Sequence, residues 1–173
     1  MMLNIRSRVF ETNSSSSHSL CKDSKLLFTV SRDDLKIEED GYVHSSFASF
    51  HDTRFISTEK DKLSYILTLS FLSTPWAMSH YDYNDIEWES VITRFRTTND
   101  FHLINQAVIE HFEELGLVCE GLWIDRSTGY IDGSATITNY DSVESFLDFY
   151  GVPNASVKSY LFKDIIVVMD NEE

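Results

Sequence analysis

Two arginines, an asparagine, four consecutive serines and a histidine fall within thirteen residues near the start of the chain: Arg6, Arg8, Asn13, Ser14, Ser15, Ser16, Ser17 and His18. Guanidinium groups, hydroxyls and backbone N–H groups gathered in a tight polar turn are the ingredients of an anion pocket, phosphate above all. His18 is the only side chain of the run whose proton exchanges near neutral pH, which makes it the candidate donor or general acid/base. The competing reading gives Thr12, Asn13 and the serines to backbone caps and turns and leaves His18 on the surface.

A serine run by itself is a flexible linker, because small polar residues bury too little apolar surface to offset the entropy of ordering them. Here it is flanked by apolar residues, Ile5, Val9 and Phe10 before it and Leu20 after it. Beyond lies Leu26-Leu-Phe-Thr-Val30, with the β-branched and aromatic content of a buried strand. The serines are therefore expected between two anchored segments. The block Val9-Phe-Glu-Thr-Asn-Ser-Ser-Ser-Ser-His-Ser19 resembles the opening of a group of uncharacterised proteins from bacteriophages and bacterial mobile elements. Glu59–Leu67 and Ile165–Asn171 resemble further segments of that group more loosely. Some members carry a histidine after an aromatic-Ile-Asp triplet, where this chain has Gly133 after Tyr130-Ile-Asp132, so a partnership of that histidine with His18 is not expected. The resemblance implies a phage-type accessory protein acting in the cytoplasm of a bacterial host, without specifying an activity.

Charge sharpens the choice of ligand. The 173 residues carry a net charge of −14, yet residues 1–30 sum to +2, residues 31–100 to −6 and residues 101–173 to −10. The Ser/His segment is thus the net-basic part of an acidic protein, which favours a phosphate-bearing small molecule, a nucleotide among the candidates. Direct binding of duplex nucleic acid is not expected, since it rests on neutralising phosphates with Lys and Arg. The alternative is a host protein as partner, with carboxylates such as Asp82, Asp85, Glu87 and Glu89 modulating a host factor or mimicking nucleic acid.

Other constellations carry less. Glu87-Trp-Glu89 with an early arginine and serines superficially matches an ADP-ribosyltransferase signature, but the arginine and serines are nearly adjacent and the glutamates fall in a helical stretch. Asp125 and Asp132 flank a short hairpin and read as turn residues before they read as paired catalytic or metal-binding carboxylates. His44 and His51 approach His18 only if the first strands pair, and His80, His102 and His111 receive no role. Cys21 and Cys119 have no Cys-x-x-Cys spacing and are expected reduced and partly buried. No metal, P-loop or dinucleotide motif is present, and no particular cofactor is indicated.

These residues need a scaffold. With 42% hydrophobic content the chain can bury one sizeable core, predicting a single domain over 1–173. No apolar run approaches the length of a membrane span, and no signal core opens the chain, so a soluble protein is expected. Strands are predicted at 26–30 and 42–50, followed by a helix opened by Ser57-Thr58 with Leu63, Ile66, Leu67 and Phe71 on one face. Further helices are predicted over 85–95 and through Phe101, Ile104, Val108, Phe112 and Leu115, the latter closed by Gly116. Residues 118–124 and 130–132 read as a hairpin, Asp141-Ser-Val-Glu144 as a helix start, 165–169 as a central strand and 170–173 as an acidic tail. The expected class is α+β, a mixed or antiparallel sheet with helices mainly on one face.

Overall fold

The computed structural model describes residues 16–22, 34–47, 55–74, 88–126, 141–163 and 165–171. The predicted strand at 26–30, the second arm of the predicted hairpin and residues Asp82, Asp85 and Glu87 lie outside them. The elements run β1 (Ser16–Lys22), β2 (Tyr42–Ser46), β3 (Phe55–Ile56), α1 (Glu59–Leu72), α2 (Trp88–Phe95), α3 (Asn99–Glu114) and β4 (Gly121–Asp125). Then come α4 (Val143–Phe149), a 3₁₀ turn (Pro153–Ala155), α5 (Val157–Phe162) and β5 (Ile165–Asn171). The class is α+β, as expected.

The apolar run at the end of the chain is the central strand of an antiparallel sheet ordered β1-β5-β3. That strand reaches Asn171, so the acidic tail begins later than residue 170. The second sheet departs from expectation. β4 pairs with β2, in parallel, with Tyr42 opposite Gly121 and Ser46 opposite Asp125, a pairing between distant segments; the expected hairpin arm at 130–132 lies outside the described residues. Parallel neighbours need a long crossover, and α1, α2 and α3 lie in this one. β2 is also shorter than predicted, ending at Ser46.

α1 is the core helix. Ten of its fourteen residues are buried, more than the single face predicted, and the hydroxyls of Thr68 and Ser70 answer to the carbonyls of Ser64 and Ile66. Thr58 caps it by accepting from Asp61 N, and Thr98 caps α3 by accepting from Phe101 N. α3 closes at Gly116 (φ +75°), where Leu117 N bonds Phe112 O and Gly116 N bonds Glu113 O, the paired bonds of a Schellman end. At α4 the cap is Ser142 with Ser145 reciprocating, one residue later than the expected Asp141 and Glu144. Phe47, just past β2, packs against Phe71 and Phe95 at ring separations of 4.5 and 5.5 Å. This aromatic cluster fixes the second sheet against α1 and α2, burying area that stabilises the fold at about 25 cal/mol per Å².

Candidate functional site

Of the residues singled out in the sequence, Arg6, Arg8, Asn13, Ser14 and Ser15 lie outside the described residues. Ser16, Ser17 and His18 belong to β1, extended backbone rather than the tight turn expected, opposite Asn171, Asp170 and Met169 of β5. A strand continues here because Leu20 and Cys21 follow on in register with Val167 and Ile166. β1 and β2 lie in different sheets, so the condition for His44 to join His18 is not met. Among the described residues no three His, Cys, Asp or Glu side chains are grouped to hold a metal ion.

What the fold does bring together is built on β2 and β4. A turn precedes β2, closed by the bonds Gly41 N to Glu38 O (3.0 Å) and Glu38 N to Tyr42 O (2.8 Å), with Gly41 at φ +87° where a side chain is strained. The turn aims Asp40 back at the strand: its Oδ1 accepts from Tyr42 N at 3.1 Å and its Oδ2 meets His44 Nε2 at 2.9 Å. The other ring nitrogen of His44, Nδ1, meets Asp125 Oδ1 at 3.0 Å across the sheet. An imidazolium donates from both nitrogens, so the protonated ring makes this clasp a charged Asp–His–Asp bridge. Its electrostatics agree: the Asp40 hydrogen bond, aided by Asp125, holds His44 above the ordinary histidine pKa against the opposing effect of burial. Asp40 in turn is held below the ordinary carboxylate range by His44 and the Tyr42 amide. With both nitrogens committed, His44 has no lone pair with which to abstract a proton in this state.

The clasp stands in a cleft of about 940 Å³ between the 34–40 segment, β2 and the start of α1. Leu35 N donating to Glu59 Oε2 (3.0 Å) and Ser64 Oγ donating to Ser46 O (2.6 Å) hold its walls together.

A second hollow of about 380 Å³ opens on the far side of Asp125, lined by Trp88, Glu89, Ile92, Arg96, Trp123 and Arg126, so that Glu89 of the sequence-predicted acidic set stands at its wall. Trp123 follows from strand alternation: Leu122 and Ile124 turn into the core, and the indole between them is 43% exposed. It is braced by Tyr42 edge-on at 6.0 Å and by His44 at 6.3 Å. Arg96, on the turn after α2, lays its guanidinium over the indole face, 4.9 Å from the ring centre. Arg96 Nε is buried without a hydrogen-bond partner among the described residues, and Arg126 is exposed alongside. A buried guanidinium nitrogen left unbonded is costly, and with Arg126 the charge of Arg96 forms the cationic side of the hollow. The sequence signal for Trp123 was its place between two apolar strand residues; nothing local pointed to Arg96, which reaches it from another element.

Of the other histidines with described side chains, His102 is exposed and His111 is packed. His111 stacks on Phe162 at 3.6 Å, and burial holds its pKa below the ordinary value. No helix among the described residues is long and apolar enough to cross a membrane. Set against family models, curated proteins and solved structures, the chain matches none.

Proposed function

We propose that the protein binds a small phosphate-bearing ligand with a planar ring, of the nucleotide class, in the hollow beside Trp123. The observation that carries this reading is the Arg96 guanidinium resting on a half-exposed indole with Arg126 beside it in one hollow. The exposed part of the indole offers an apolar contact for a ring, and Arg96 with Arg126 offers charge and planar donors for a phosphate. The segment Arg6–His18 has a composition suited to the same ligand class and is proposed as a further phosphate contact. Its resemblance to phage and mobile-element proteins supports an accessory role in a bacterial host.

The test is a thermal-shift screen of nucleotides, cyclic nucleotides and inorganic phosphate on wild type, Arg96→Gln, Trp123→Leu and an Arg8→Ala/His18→Ala pair. A ligand at a hundred times its Kd stabilises by about 2.7 kcal/mol, which for a chain of this length raises Tm by roughly 5–10 °C. The shift is expected in wild type and lost in Arg96→Gln and Trp123→Leu. Loss in the Arg8/His18 pair alone moves the site to the N-terminal segment, and a shift in none sinks the ligand reading and favours a host-protein partner for this acidic surface.

A further inference from the structure

Asp125 borders both the cleft of His44 and the hollow of Trp123. A bare carboxylate at the rim of a phosphate site opposes the ligand, since like charges at close range in a partly desolvated hollow repel. In this structure Asp125 is not bare: His44 Nδ1 meets its Oδ1 at 3.0 Å, and Asp40 holds the other side of the same ring. Resting on the ligand reading above, we infer that His44 is a positioning residue for that site. It neutralises and orients Asp125 so that the hollow accepts an anion, and the affinity for an anionic ligand falls as His44 loses its proton.

Geometry makes the coupling direct. The imidazole is 6.3 Å from the Trp123 ring, tilted by 31°, so the clasp also braces the stacking face. Loss of one N–H leaves a neutral ring that can donate to only one of its two carboxylates. The charged groups around His44 come from three elements. On its own segment lie Asp34, Lys36, Glu38 and Glu39 beside Asp40, and α1 presents Lys60 and Asp61. β4 contributes Asp125, with Arg126 next along the chain, and the adjoining hollow holds Arg96 above Trp123 and, from α2, Glu89, whose carboxylate is there in either state of His44. Carboxylates outnumber cations in the cleft itself, which favours the protonated ring and agrees with the upward direction of its pKa.

The experiment measures binding of cyclic AMP, whose phosphodiester keeps one negative charge between about pH 5.5 and 8.5, by wild type, His44→Gln and Asp40→Asn. In parallel, the Trp123 indole N–H resonance of the ligand-free protein is followed over the same range. Wild type is expected to bind roughly three- to tenfold more tightly at the acid end. In His44→Gln that dependence is expected to vanish, and in Asp40→Asn its midpoint moves to lower pH because one partner is gone. Binding that ignores pH in wild type, or follows it equally in His44→Gln, overturns the inference and leaves the site standing. No binding of cyclic AMP at either pH, or a Trp123 resonance that does not titrate in wild type or titrates equally in His44→Gln, overturns the inference, while the site reading itself stands or falls on the wider nucleotide screen above.

Discussion

Replacing Gly121 with alanine sets one methyl group against the contact that ties β4 to α3. Gly121 opens β4 at φ +122°, and a Cβ there would lie 2.6 Å from Asn105 Oδ1. That oxygen accepts from Leu122 N at 2.7 Å, and Leu122 is buried, so the amide has no water to turn to. The alanine therefore has two costs: roughly 1–2 kcal/mol for a left-handed backbone, and about 1.5 kcal/mol when Asn105 is pushed off the amide. Asn105→Ala loses only the hydrogen bond, about 1.5 kcal/mol. The double variant loses that bond once and keeps the backbone strain, so its cost is about 3 kcal/mol, close to that of Gly121→Ala alone. A urea-denaturation cycle followed by circular dichroism reads this directly, with a coupling of about 1.5 kcal/mol expected. Additive costs would refute the reasoning, because they would mean that alanine is accommodated without displacing Asn105. Since β4 carries Trp123 and Asp125, the same variant is expected to weaken ligand binding in proportion to the shift of the strand.

Tyr160 is fully buried, burial drives its phenol far above the usual pKa, and its hydroxyl has no hydrogen-bond partner among the described residues. Tyr160→Phe should therefore stabilise by about 1 kcal/mol and raise Tm by roughly 2–4 °C; a fall in Tm in calorimetry would show that the hydroxyl is bonded. The His44 clasp makes stability depend on pH with a definite sign. A histidine pKa raised on folding contributes stability that is complete below about pH 6.5 and is lost as pH climbs through the raised value. With side chains 29% exposed for His44 and about half exposed for its partners, the loss should not exceed about 0.5–1 kcal/mol. Denaturation curves at a series of pH values should show this decline in wild type and a flatter profile in His44→Gln; identical profiles would remove the clasp from the stability of the fold.

Local pattern carried the helices because a helix is set by neighbours three and four residues apart. Phe101, Ile104, Val108 and Phe112 are spaced for one face and are all buried, and Gly116 ends α3 in the left-handed conformation that glycine permits. The run 165–169 could be read as a central strand because an unbroken apolar stretch must be covered on both faces. Pairing is another matter. Val118–Ile124 was legible as a strand, but nothing local announced its parallel partner β2 about eighty positions earlier, since loop closure over such a distance leaves no trace in local composition. For the same reason Asp125 looked like a turn residue and His44 like a companion of His18. Local pattern was enough for α1 to α4, for the central strand and for where charge accumulates, whereas the short α5 carried no signal that was read and Trp123 was not singled out. That His44 reaches Asp125 and that Arg96 covers Trp123 came from the fold alone, because each contact acts over a few ångströms and joins groups far apart in the chain, α1 to α3 lying between the first pair and α3 between the second.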